Sequence, residues 1–358
     1  MASLKQKIRQ IIEENGHISV EKYMKLCLYD PTHGYYSCKQ PIGLMGDFTT
    51  SPEISQLFGE LVGLWLAQVW LAQGSKKPFA LVELGPGKGT LMSDILRATS
   101  NVPNFLQSAS IFLVETSAHL RRVQKNRLKD FEITWLESVE LLPPIPLMII
   151  GNEFLDALPT KQFCKVNGAW QERCVKLNKS GNFTFCYTPS SRDHELQLTH
   201  GDVPNRKIIE ISDQATGIIS KLSSKLLSNG GVAIFIDYGH FGAVGDTLQS
   251  VRNHKFSDPL RNLGKSDLTT LVNFKAISET AVSRGLRATK PLSQGAFLKG
   301  LGIDIRLNRL TKNLSEDKKY IHVSARNRLV DEDQMGELFK VFALALKDAP
   351  CLPVLEDF

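Results

Sequence analysis

Glu83 stands just ahead of three alternating glycines in the stretch Glu83-Leu84-Gly85-Pro86-Gly87-Lys88-Gly89-Thr90-Leu91. Residues without a Cβ let a backbone close tightly round a ligand, and a carboxylate beside them can face a cationic group. The apolar run Phe79-Ala80-Leu81-Val82 leading in reads as a buried strand. Beyond the glycines, apolar positions at 91, 92, 95 and 96 read as a helix, whose N-terminus carries unpaired N–H groups. Strand, glycine turn and helix make the first half of a doubly wound α/β unit.

The spacing sorts the possible ligands. A P-loop requires G-x-x-x-x-G-K-[ST], whereas Lys88 is followed by Gly89. A dinucleotide fold requires G-x-G-x-x-G, and this turn is one residue short. An acidic residue followed by alternating glycines is similar to the first motif of S-adenosylmethionine methyltransferases. There the carboxylate faces the ammonium of the cofactor's methionine part, where a dinucleotide would bring pyrophosphate. Pro86 and Thr90 complete the candidate cofactor contacts of the turn; a purely structural strand–helix turn is the alternative for the glycines taken alone.

Other polar groups fall at strand ends. Ser110-Ile111-Phe112-Leu113-Val114-Glu115 is a second apolar run ending in a carboxylate, the position that accepts hydrogen bonds from both ribose hydroxyls in nucleoside-binding α/β folds. A solvated strand-end charge is the alternative. A third strand over 132–136 leaves Glu137 and Ser138 within reach of an adenine amine. The apolar run 146–150 leads into Asn152, Glu153 and Asp156, where open α/β sheets bind their ligands. Carboxylates there could hold an amine or cationic acceptor, orient a nitrogen lone pair and take up its proton. Asn152 and Asp156 could equally cap the next helix. The loop 43–53 contains Asp47 and Thr50 and could close over a ligand on the glycine turn. Its Ser51 is expected to cap a helix running to about residue 73, with Pro52 at the first helical position.

The elements that must position these groups follow in order. Helices are expected over 4–15, stopped by Gly16, and over 19–28, capped by Ser19. Alternating β-formers with Asn167-Gly168 and Ser180-Gly181-Asn182 turns predict a small antiparallel insertion over 161–188. A polar linker (190–205), a helix (208–227) and a fifth strand (232–240) come next, the strand offering Asp237, Tyr238 and His240 as secondary candidates. A long irregular loop is expected over 245–265, a helix start capped by Asp267 over 268–272, and a short apolar helix over 294–302. Residues 320–325 and 339–346 are expected to form the antiparallel pair that ends the sheet. The chain divides into an N-terminal helical region (1–75), a first core half (76–160), the insertion and linker (161–205) and a second core half (206–358).

The 358 residues are 42% hydrophobic and 22% charged, enough for one large α/β domain with additions or for two domains. A net charge of +6 without basic blocks or basic–aromatic interleaving argues against nucleic acid. Six cysteines (27, 38, 164, 174, 186 and 351) lack C-x-x-C spacing and read as free thiols, with no metal site. The start is a polar amphipathic helix unlike a signal or transit peptide, and no apolar run approaches a membrane span; the expectation is a cytoplasmic protein.

Five stretches carry a more specific resemblance. Gly46-Asp47-Phe48-Thr49-Thr50-Ser51-Pro52-Glu53, the glycine turn, Asn152-Glu153-Phe154-Leu155-Asp156-Ala157-Leu158-Pro159, Ile236-Asp237-Tyr238-Gly239 and Ser293-Gln294-Gly295-Ala296-Phe297-Leu298 together resemble the MidA family of S-adenosylmethionine-dependent methyltransferases. Its mitochondrial members are complex I assembly factors and protein arginine methyltransferases. The resemblance implies a Rossmann-like, doubly wound, mostly parallel seven-stranded sheet. It also implies S-adenosylmethionine as cofactor and symmetric dimethylarginine as product. The implied partner is the large quinone-site subunit of NADH:quinone oxidoreductase; a homodimer is also compatible. In this scheme Glu83, Gly85, Gly87 and Gly89 seat the methionine part, Glu115 the ribose, and Asn152, Glu153 and Asp156 line the acceptor side. An assembly chaperone that leaves the cofactor unused, or a methyltransferase for a small amine, are the competing functions. Without a transit peptide the chain looks more like a bacterial member acting in the cytoplasm.

Overall fold

The computed structural model describes residues 3–38 and 49–357. They form two compact units, each assembled from segments far apart in sequence. One unit comprises 49–155, 218–241 and the chain from 274; the other comprises the N-terminal segment, 156–217 and 242–273.

The first unit is built on strands β1 (Phe79–Leu84), β2 (Ala109–Val114), β3 (Ile133–Leu136), β4 (Leu147–Asn152), β5 (Gly231–His240), β6 (Arg287–Ala288) and β7 (Phe339–Ala345). Their order across the sheet is β6-β7-β5-β4-β1-β2-β3. β1 to β5 run parallel, and β7 lies antiparallel to β5 and β6. The doubly wound, mostly parallel sheet is therefore present. Every residue of β1 and β4 is buried, as parallel strands covered on both faces must be. Leu81, Met92, Ile150, Ile234, Val341 and the helix Gln56–Ala72 share one apolar core.

The strand order reverses between β1 and β4, the place where such sheets open a ligand crevice at their carboxyl ends. Those ends are level: Leu84 pairs with Val114 and with Gly151, and Gly151 pairs with Phe235. The residues that follow this row are thereby delivered to one rim.

The second unit contains the helices Leu4–Asn15 and Val20–Tyr29 and two antiparallel sheets. The first helix is closed by a Ser3–Gln6 capping box and by Gly16, and the second is capped by Ser19. The expected hairpins appear as Lys161–Val166, Ala169–Leu177 and Phe183–Pro189. Ile18–Ser19 pairs with Ala169–Leu177, and Ile208–Ile211 with Lys161–Val166. Leu4, Ile8, Ile12, Tyr23, Met24, Val175 and Leu268 form its core.

Several elements differ from the sequence expectation. The 51–73 helix is broken into Ser51–Ile54 and Gln56–Ala72 by extended backbone at Ser55, and Thr50 rather than Ser51 takes the cap position. The linker 190–205 holds the helix Asp193–His200. Residues 208–211 are a strand, with the helix Asp213–Asn229 beginning only after it. The 245–265 loop contains the hairpin Gln249–Arg252 and Lys255–Ser257, to which Asp267–Thr269 adds a third strand instead of starting a helix. Residues 320–325 lie inside the helix Glu316–Val330, whose first turn carries Glu316 and Asp317 where the helix dipole favours negative charge. The antiparallel partners of β7 are therefore β5, β6 and Leu292–Ser293.

Candidate active site

At the rim of β1, Glu83 is 3% exposed and its Oε2 has no hydrogen-bond partner among the described residues. Burial pushes its carboxyl pKa well above the ordinary value; the neighbouring Glu115 adds to the shift, and the Met92 amide opposes it. A buried, underused carboxylate oxygen is a costly arrangement in the absence of a cation. The glycine turn follows, with φ of 60° at Gly85, 51° at Gly87 and 75° at Gly89. The Gly89 amide donates to the Pro86 carbonyl at 2.7 Å, and Gly89 caps the helix Thr90–Thr99. A Cβ on Gly85 would lie 2.9 Å from the Phe154 ring, so any larger residue there has to displace Phe154.

Glu115 follows β2. Its Oε1 accepts from the Ser117 amide at 2.7 Å and its Oε2 from Gln124 Nε2 at 3.3 Å. Burial raises its pKa, against the opposing Ser117 and Gln124 hydrogen bonds. Gln124 is fully buried: the same Nε2 donates to the Gly87 carbonyl at 2.8 Å, and its Oε1 accepts from the Trp135 indole at 2.8 Å. One side chain thus ties the glycine turn, the acid after β2 and strand β3 together. Ser138 is half-buried at the cap of the short turn Val139–Leu141 beyond β3, and Glu137 beside it is exposed.

At the rim of β4, Asn152 is buried and its Oδ1 has no partner among the described residues. Glu153 adopts φ 49°, a left-handed conformation unusual for a side chain of its size. Its Oε1 accepts from the Ser51 amide at 3.0 Å and from Asn152 Nδ2 at 3.2 Å. The Ser51 hydroxyl donates to Gln294 Oε1 at 3.1 Å, and Gln294 is held in turn by the Leu329 carbonyl. Glu53, two residues on, accepts from the Thr90 hydroxyl and from Lys88 Nζ (3.2 Å). The short helix Ser51–Ile54 therefore touches the glycine turn and the end of β4 at once. Thr50 is buried just before it, and Asp47 lies outside the described residues.

Asp156 belongs to the other compact unit. It is buried there, its carbonyl accepts from the Thr270 amide, and its charge, after burial and Asp267, helps raise the Tyr36 pKa. Asp237 is fully buried and accepts from the Phe154 and Leu155 amides; Tyr238 packs edge-on against Phe339; burial lowers the pKa of His240. Gln124, Glu53 and Gln294 are parts of this site that sequence reasoning did not single out. Glu53 and Gln294 lie within the quoted motifs, but their partners stand 35 or more residues away and leave no local signal.

The rim thus gathers an unsatisfied buried carboxylate oxygen at Glu83, a left-handed glycine turn and a second buried carboxylate at Glu115. A family model of S-adenosyl-L-methionine-dependent methyltransferases matches residues 61–292. The chain belongs to this methyltransferase family. Xenopus tropicalis protein arginine methyltransferase NDUFAF7, mitochondrial, is 36% identical over 93% of this chain and 83% of its own length. The Homo sapiens protein of the same name is 34% identical over 93% of this chain and 81% of its own. A Burkholderia thailandensis methyltransferase-family crystal structure with S-adenosyl-homocysteine bound superposes with a TM-score of 0.85 at 28% identity, covering 98% of this chain and 94% of that one. The methyltransferase is thus S-adenosylmethionine-dependent and Rossmann-like. The expectation of a cytoplasmic protein is corrected, because these curated relatives are named as mitochondrial. Among the described residues no helix is long and apolar enough to cross a membrane.

Proposed function

We propose that this methyltransferase acts on arginine in a protein, forming symmetric dimethylarginine on the large quinone-site subunit of NADH:quinone oxidoreductase during its assembly. The single observation that carries the arginine reading is the carboxylate at the rim of β4, beside the rim that bears Glu83 and the glycine turn. The relatives' name, protein arginine methyltransferase, supports it.

S-adenosylmethionine supplies an electrophilic methyl group on its sulfonium. Glu83 would face the ammonium, Gly85, Pro86, Gly87, Gly89 and Thr90 the methionine part, and Glu115 the ribose, with Ser138 near the adenine. Thr50 would cover the ligand. An arginine guanidinium stays protonated in water, so an acceptor site needs fixed negative charge to orient it. Glu153 provides that charge and takes up the proton that the nitrogen gives up on methylation. Asn152 Oδ1 offers a further acceptor for a guanidinium N–H.

The test is transfer of labelled methyl from S-adenosylmethionine to the purified quinone-site subunit, followed by hydrolysis and chromatography. Label in symmetric dimethylarginine supports the proposal. Label in another residue, or transfer only to a small amine, contradicts it.

A further inference from the structure

Glu153 keeps φ 49°, a region that costs side-chain-bearing residues free energy and persists only where neighbours enforce it. Two consecutive residues of β5 do the enforcing. The Ile236 carbonyl accepts from the Glu153 amide at 2.8 Å. The Asp237 carboxylate then accepts, through one oxygen, from the Phe154 amide at 3.0 Å and the Leu155 amide at 2.8 Å. Its other oxygen accepts from the Tyr238 amide at 3.1 Å. Asp237 is 0% exposed, so water does not substitute for these contacts. These three amides are N–H donors, which suits an acceptor-only carboxylate; an asparagine amide would set its own NH2 against one of them.

We propose that Asp237 is a positioning residue, which holds the left-handed turn after β4 and so aims the Glu153 carboxylate at the methyl acceptor. The inference rests on the assignment of Glu153 to the acceptor side. The bonds come from the strand next to β4, so the turn is fixed by the sheet itself rather than by the acceptor. Asp237 itself stays buried, while the carboxylate it aims reaches the Ser51 amide.

The experiment uses the full chain carrying D237N, alone and combined with E153Q. Amide exchange at Phe154 and Leu155, a structure of the variant, S-adenosyl-homocysteine affinity, and methyl transfer to an arginine-containing peptide are measured together. The two amides should exchange about tenfold faster, with the Ser51–Glu153 hydrogen bond lost. Affinity for S-adenosyl-homocysteine and KM for S-adenosylmethionine should stay within about threefold while kcat falls about 10- to 100-fold. D237N should add no further loss to E153Q. A variant that keeps Glu153 at positive φ against Ser51, or whose loss multiplies with that of E153Q, overturns the positioning role. Full turnover in E153Q alone would instead remove Glu153 from the reaction, and with it what Asp237 is proposed to aim. In the unsubstituted protein both amides must be protected, and rapid exchange there overturns the inference without any variant.

Discussion

The Ser51 amide donates to Glu153 Oε1 at 3.0 Å across 102 residues of sequence. That bond joins the helix start that also grips Thr90 and Lys88 to the carboxylate at the rim of β4. The glycine turn proposed as cofactor cradle and the candidate acceptor side therefore share one short element, and displacing it disturbs both.

Gln124 supports the cofactor side in a comparable way. Its buried amide meets Gly87, Glu115 and Trp135, so Q124A leaves several polar groups without their partner. The expected loss is about 1–3 kcal/mol of stability and about tenfold in S-adenosyl-homocysteine affinity, read by denaturant titration and calorimetry. Unchanged affinity would remove Gln124 from the support of Glu115, the acid proposed to hold the ribose.

The raised pKa of Glu83 makes binding pH-dependent. In the unligated protein the carboxyl stays protonated above its ordinary value of 4.5, up to the raised one. The contribution of this group to stability is therefore greatest below 4.5 and declines as pH rises through that window. A cationic ammonium favours the carboxylate, so binding releases a proton and affinity rises with pH across the same window, then levels. Calorimetry in two buffers of different ionisation enthalpy measures the proton count. Proton uptake, or affinity that falls as pH rises, would contradict an ammonium beside Glu83.

Gly85 combines φ 60° with an approach of 2.9 Å between a built Cβ and the Phe154 ring. Gly85→Ala should cost about 1–2 kcal/mol from the left-handed backbone alone, with more from moving Phe154. Gly16, at φ 80° with nothing near a built Cβ, is the control. Its alanine variant should pay the backbone cost but keep full cofactor affinity, whereas Gly85→Ala should weaken it about tenfold or more. Equal affinities for the two variants would show that the close approach is immaterial.

The parts legible in the sequence were those coded locally. An apolar run ending in Glu83 and broken by glycines specifies strand, turn and helix within a dozen residues, and Ser19 and Gly16 mark helix ends by their own chemistry. Residues 320–325 misled because Tyr320, Ile321 and Val323 are β-formers. Yet Tyr320 and Ile321 are 74% and 64% exposed while Val323, Leu329 and Val330 reach the core, a helical rather than an alternating spacing, and the acidic first turn favours helix. Residues 208–211 were absorbed into the following helix because the strand is short and abuts it; only pairing with Lys161–Val166 makes it a strand. Gln124 and Asp237 were illegible as supports for another reason. Most of their chemistry lies in the amides, carbonyls and carboxylate they meet 9 to 83 residues away, which no local pattern encodes.

The most direct measurement is methyl transfer by E153Q beside its affinity for S-adenosyl-homocysteine, using the quinone-site subunit as acceptor. Glutamine keeps the shape but removes the charge that would orient a guanidinium and take up its proton. The account predicts affinity within about threefold of the unsubstituted protein and turnover down by about 100-fold or more. Full turnover with normal cofactor binding would contradict it, and would move the acceptor side away from the rim of β4.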